Sequence, residues 1–117
     1  MDYSKTLIWL YNQLPFYQKK GGLAYKKDVD NVLNFSKKNG KDYDSFPSIH
    51  VGGTNGKGSV SHMLSSILQE SELKIGLFTS PHLLDFRERI KINNQMISEQ
   101  FVIDFVQKHM TEFKTMK

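Results

Sequence analysis

The stretch Ile49-His50-Val51-Gly52-Gly53-Thr54-Asn55-Gly56-Lys57-Gly58-Ser59 opens on a short β-branched run, turns through glycines and ends where a helical pattern begins. Ile49 to Val51 reads as a buried strand. Beyond the turn, Val60, Met63, Leu64, Ile67 and Leu68 fall at i, i+3, i+4, i+7 and i+8, the stripe of a helix packed against a sheet. Lys74 to Thr79 then reads as a second strand. Strand, glycine turn, helix and strand within about thirty residues predict a βαβ unit with a right-handed crossover and a parallel sheet. The expected fold class is therefore α/β.

A glycine-rich loop between a strand and a helix has the placement of a phosphate-binding loop. Glycines let the backbone adopt positive φ and bring successive N–H groups close to phosphate oxygens, while the helix directs the positive end of its dipole at the same anion. Lys57 would reach the β- and γ-phosphates. Against the common Walker A spacing the match is imperfect: Val51 stands where the leading glycine is usual, and Gly58 displaces the hydroxyl residue to Ser59. One extra residue rotates Ser59 by roughly 100° around the helix, which weakens its reading as a magnesium ligand. On these residues alone, nucleotide phosphate binding and a glycine-rich structural turn both remain open.

Working outward, Leu7, Leu10, Tyr11 and Leu14 recur at helical spacing after Ser4, and Pro15 stops the pattern, predicting an amphipathic first helix. Phe16 to Lys27, with Gly21 and Gly22, reads as a loop. Asp28 then leads in a second helix with Val29, Val32, Leu33 and Phe35, ended by Asn39-Gly40, and Asp42 to Ser48 is a connector. Arg89 to Ile92 and Gln95 to Ile97 alternate around Asn93-Asn94, which predicts a hairpin. Ser98 is placed to cap a last helix with Val102, Phe105, Val106, Met110 and Phe113 on one face. Parallel sheets are normally covered on both faces, and only two candidate parallel strands are present, so the α/β domain reads as incomplete at its C-terminus. The alternative is an unusually small αβ protein.

Composition narrows the chemistry. Cys is absent, which excludes disulfides, thiolate zinc sites and cysteine nucleophiles within these 117 residues. No long uncharged apolar run and no signal-peptide pattern is present, so no membrane association and a cytoplasmic location are expected. Lys plus Arg exceed Asp plus Glu by 16 to 12, and the basic residues are thinly spread, grouped only at Lys19, Lys20, Lys26 and Lys27. A nucleic-acid footprint is normally denser. That group reads as a solvated surface, with phosphate or RNA contacts among the alternatives. No pair among His50, His62, His82 and His109 has zinc-motif spacing, so each reads as structural, with His82 the best functional candidate. Trp9 and the other aromatic residues read as packing rather than as a base-stacking platform.

The segment Ile49 to Ser59, continuing to Ile67-Leu68, resembles the first signature of the folylpolyglutamate synthase and dihydrofolate synthase branch of the Mur ligases, in which a residue separates the lysine from the hydroxyl. A second stretch, Thr79-Ser80-Pro81-His82-Leu83 with Glu88-Arg89-Ile90, is similar to that family's loop after the second strand. The resemblance implies the start of a P-loop, Mur-ligase-type ATP-binding domain, with 1–117 its amino-terminal part and the carboxy-terminal glutamate-binding domain absent. It implies ATP as cofactor at Gly53, Thr54, Asn55, Gly56, Lys57, Gly58 and Ser59, with Lys57 catalytic. Mg²⁺ is implied at Ser80, and folate or dihydropteroate near His82, Gly22 and Leu23.

In such a family ATP phosphorylates the substrate carboxylate to an acyl phosphate, and the amino group of L-glutamate attacks it to form an amide. The expectation is a monomer when full length, no nucleic-acid partner, and no turnover by 1–117 alone. The rival readings are another Mur-type amide ligase and a non-catalytic P-loop binding module. A basic nucleic-acid adaptor, whose affinity would fall steeply with salt, is a third.

Overall fold

A computed structural model of the chain describes residues 1–13, 30–41 and 44–116. The predicted endpoints Leu14, Pro15, Asp28 and Val29, the loop carrying Gly22 and Leu23, and the basic group from Lys19 to Lys27 lie outside the described residues. The chain divides into two compact units, Met1–Ser48 with Val102–Lys117, and Ile49–Phe101.

In the first unit, α1 runs from Tyr3 to Gln13. The Asp2 carboxylate caps its start, accepting the Lys5 N–H at 2.8 Å. The Thr6 hydroxyl donates to the Asp2 carbonyl at 2.7 Å, so this fully buried polar side chain is satisfied within the first turn. Helix α2, Asp30–Lys38, places an acid in its first turn and Lys37 and Lys38 in its last, matching its dipole. It ends as Asn39-Gly40 predicts. Gly40 takes φ 64°, its N–H bonds the Lys37 carbonyl, and the Lys41 N–H bonds the Ser36 carbonyl, a Schellman closure that needs a residue tolerant of left-handed φ.

After α3, Lys57–Gln69 of the second unit, comes α4, Glu99–Thr115, the longest helix of the described residues. Ser98 caps it as expected, its hydroxyl accepting the Phe101 N–H at 3.0 Å. Val102, Val106 and His109 form the buried face, at i, i+4 and i+7. Phe35 of α2 meets Phe105, His109 and Phe113 with ring centroids 6.3, 4.9 and 5.6 Å apart. Beside these rings Glu112 accepts from Asn39 Nδ2 at 3.0 Å and pairs with His109 Nδ1 at 3.0 Å. The polar junction thus joins the end of α2 to α4 beside the aromatic cluster.

The second unit corrects two expectations. Ile49–Val51 belongs to no ladder among the described residues, and Ile49 is exposed. The described sheet is antiparallel, not parallel: β1 (Gly76–Phe78) pairs with β2 (Ile90–Ile92), and β2 with β3 (Gln95–Met96). The reason is connectivity. The loop after β1 brings β2 beside it, and the Asn93-Asn94 turn brings β3 beside β2, both by local reversals, whereas a parallel pair needs a crossover. The hairpin turn itself is as predicted, with φ 50° at Asn93 and 66° at Asn94, the two positive angles of a type I′ turn.

Helix α3 packs against β1, but its expected stripe is only partly covered. Leu64 and Leu68 are half-buried, Ser65 is buried, and Val60, Met63 and Ile67 face solvent. α3 is followed by a turn at Glu70–Glu72, with Glu72 at φ 62°.

Asn tolerates φ above zero less readily than Gly. Replacing Asn94→Gly is expected to stabilise the second unit by about 0.5 kcal/mol and Asn94→Val to destabilise it by about 1 kcal/mol or more, read by thermal unfolding. Ser98→Ala should cost about 1 kcal/mol through loss of the α4 cap.

Candidate functional site

Two loops of the second unit carry the predicted site residues. The first leads into α3. Gly53 has φ 140° and Gly56 has φ 76°, and Gly56 occupies the cap position of α3 in the left-handed region. No side chain caps this helix end. The first bond of the helix ladder is from the Val60 N–H to the Gly56 carbonyl at 3.0 Å, so the N–H groups of Lys57, Gly58 and Ser59 have no carbonyl within the helix to accept them. Thr54, Asn55, Lys57 and Ser59 are all exposed, and among the described residues Lys57 makes no ion pair with a carboxylate.

Gly58 is informative because neither backbone nor packing requires it. Its φ is not positive, and a Cβ built there would meet nothing within 4 Å. Glycine at a helical position lowers stability by roughly 0.5–1 kcal/mol relative to alanine. The open space over Gly58 therefore comes at the helix's expense.

The second loop runs from β1 to β2 and carries Ser80 and His82. Its base is closed by the Thr79 N–H donating to the Arg89 carbonyl at 2.9 Å. The Ser80–Pro81 peptide is cis. Arg89 Nε donates to His82 Nδ1 at 2.8 Å, with the guanidinium carbon 5.8 Å from the Phe86 ring centre. Because Nδ1 accepts, the ring proton of this His82 sits on Nε2.

Asp85 and Glu88 make a capping box on the 3-10 turn Phe86–Arg89. The Glu88 carboxylate accepts the N–H groups of Leu83, Leu84 and Asp85 at 2.9, 2.9 and 2.7 Å. Arg87 pairs with Asp85 at 3.1 Å and reaches Glu99 at 3.9 Å, contacts partly screened by solvent.

Strand β1 packs against α3, and Ser80 follows two residues after its C-terminal end. The phosphate-loop candidates and the Ser80–His82 turn thus belong to one compact unit. His50 and His62 are exposed beside the loop and on α3, while His109 is packed in the first unit. Gly22 and Leu23 lie outside the described residues.

As to cations, no group of three or more His, Asp or Glu side chains that could hold a metal occurs among the described residues. Ser80 and Ser59 offer hydroxyl oxygens, suited to a hard cation held mostly by phosphate and water. Among the described residues no helix is long and apolar enough to cross a membrane.

No protein-family model matches the chain. It is 36% identical over 98 residues to the dihydrofolate synthase/folylpolyglutamate synthase of Bacillus subtilis, covering 84% of this chain and 21% of that protein. The crystal structure of folylpolyglutamate synthase from Thermotoga maritima superposes with a TM-score of 0.78 at 34% identity, covering 94% of this chain and 24% of the other. The chain belongs to the folylpolyglutamate synthase/dihydrofolate synthase family. A structure described as an FPGS–AMPPCP–folate complex also superposes, with a TM-score of 0.78 at 28% identity, over 97% of this chain and 27% of that one. The shared fold is of the Mur-ligase type. The chain spans about a fifth to a quarter of the length of these relatives.

The role of Glu88 was not assigned from the sequence, although Asp85-x-x-Glu88 has the spacing of a capping box. Donation by the three N–H groups, Leu83 first, then Asp85 and Leu84, holds its carboxyl below the ordinary value of 4.5. A depressed carboxylate contributes its stabilisation in full above 4.5 and loses it as pH falls through the lower folded-state value. The amide resonances of Leu83, Leu84 and Asp85 should therefore shift together in one NMR titration with a midpoint below 4.5. Glu88→Gln should abolish that titration.

Proposed function

We propose that this chain supplies the ATP phosphate loop of a ligase that joins L-glutamate to a folate or to dihydropteroate through an acyl phosphate. The observation that carries the reading is the uncapped start of α3, with Gly56 in the left-handed region and open space over Gly58. It is supported by the likeness to an FPGS–AMPPCP–folate complex over 97% of the chain. In this reading Gly53 to Gly58 cradle the phosphates through backbone N–H groups, and Lys57 follows the β- and γ-oxygens. Ser80 and Ser59 are the hydroxyl donors nearest in chemistry to a Mg²⁺ ligand, and His82 lies on the folate side.

When bound, Mg²⁺ would neutralise charge on the phosphate oxygens. What the chain itself contributes is electrostatic positioning: donors fixed before the reaction stabilise charge that moves onto the phosphoryl oxygens during transfer. No side chain in the two loops is assigned as a general base. As a finer part of the proposal, 1–117 alone binds nucleotide without ligating glutamate, and 1–117 is the amino-terminal part of the ATP-binding domain.

Two substitutions test the loop. Lys57→Ala should weaken Mg²⁺–AMPPCP binding by about tenfold or more, measured by calorimetry, since a charge-assisted phosphate contact is lost. Unchanged affinity would remove Lys57 from the site. Gly58→Ala should instead raise thermal stability by about 0.5 kcal/mol while weakening nucleotide binding, because the methyl group fills the anion's approach. A variant that is more stable and binds equally well would mean that the space over Gly58 is not used.

A further inference from the structure

The tip of the Thr79–Arg89 loop has no core beneath it. Leu83 and Leu84 are 89% and 94% exposed, so burial does not fix this turn. Holding one backbone residue in a single conformation costs roughly 1–2 kcal/mol, and here hydrogen bonds from two adjacent side chains oppose that cost. Glu88 accepts three successive backbone N–H groups at the tip. Arg89 closes the base through its carbonyl and grips the middle through Nε on His82. Both residues stand at the point where the 3-10 turn enters β2, so the frame is anchored to the sheet.

We propose that Glu88 and Arg89 are positioning residues for the nucleotide site, holding the Ser80–His82 turn in one conformation so that the Ser80 hydroxyl is preorganised and the His82 ring keeps a fixed orientation and tautomer. The inference rests on the phosphate-loop reading above and assigns to these two residues no contact with ligand. A hydroxyl on a mobile turn would have to be ordered at each binding event, and the ordering would subtract from affinity. The three N–H bonds to one carboxylate keep that ordering within the folded chain. Gln in place of Glu88 retains one acceptor oxygen where two are used, and Lys in place of Arg89 retains the charge without the planar Nε donor.

The test uses isotope-labelled 1–117 and its Glu88→Ala, Glu88→Gln, Arg89→Lys and Ser80→Ala variants, with Mg²⁺–AMPPCP as the probe. Unmoved resonances of Val106 and Phe113 serve as the folding control. In the free chain, Glu88→Ala should move the amide resonances of Ser80 and His82, and Arg89→Lys should remove the single-tautomer ¹⁵N signature of the His82 ring. In titrations, Glu88→Ala should weaken probe binding about tenfold, and Glu88→Gln should recover part of the loss. Ser80→Ala combined with Glu88→Ala should bind no worse than Ser80→Ala alone, since a residue acting through Ser80 is non-additive with it.

Additive losses, or wild-type affinity in Glu88→Ala, would overturn the proposal. A wild-type chain that binds no probe would sink the phosphate-loop reading instead. In that case unmoved Ser80 and His82 resonances in Glu88→Ala and Arg89→Lys would overturn the positioning role on its own terms.

Discussion

The β1–β2 ladder is the constraint on which the second unit depends. Gly76, Leu77 and Phe78 pair with Ile92, Lys91 and Ile90, and the register continues into the Thr79 to Arg89 backbone bond. That continuation turns the intervening residues into a closed loop whose ends cannot drift apart. Because β1 also packs against α3, the ladder fixes the loop that carries Ser80 to the helix that begins at Lys57. Three residue pairs therefore hold the loop that carries Ser80 on a strand that packs against α3. β3 extends the ladder on the far side of β2 through a two-asparagine turn, which leaves β1 free of any need for a long connection.

The two loops apply the same electrostatics in opposite senses. At residues 83 to 85 the chain supplies its own anion, the Glu88 carboxylate, to three successive N–H groups. At the start of α3 the corresponding donors meet neither a capping side chain nor an internal carbonyl. An internal carboxylate makes a fixed turn, and an unfilled donor set makes a receptive one. The first unit shows a third use of a carboxylate. Glu112, held below the ordinary carboxylate value by His109 and then by Asn39, bridges α2 and α4 beside the Phe35, Phe105 and Phe113 rings. His109, which has zinc-motif spacing with no other residue, is occupied in that junction and is 5% exposed.

Features whose causes are local were legible in the residues. The Asn39-Gly40 stop, the Ser98 cap, the Asn93-Asn94 reversal and the helix after Gly56 each depend on side chains or φ preferences within about four residues, and each stands where the residues place it. The glycine-rich loop was equally visible, because no ordinary packing role explains Gly52 to Gly58 together. The Asp85 and Glu88 box had a readable spacing too, but a four-residue 3-10 turn gives no periodicity to draw attention to it.

By itself the sequence determined the family, the helices and the turns, since these follow from motif residues and from backbone preferences that act over a few positions. Tertiary structure alone decided which strands pair: the β2–β3 hairpin and the β1 segment were legible, whereas the antiparallel pairing of β1 with β2 and the absence of Ile49–Val51 from the described sheet were not. Ile49-His50-Val51 has strand composition, yet a strand exists only where another backbone offers its N–H and C=O groups, and the described residues offer none there. The same dependence explains why Val60, Met63 and Ile67 have the spacing of a buried stripe and remain exposed: periodicity specifies a face, and only the neighbours in space determine whether that face is covered.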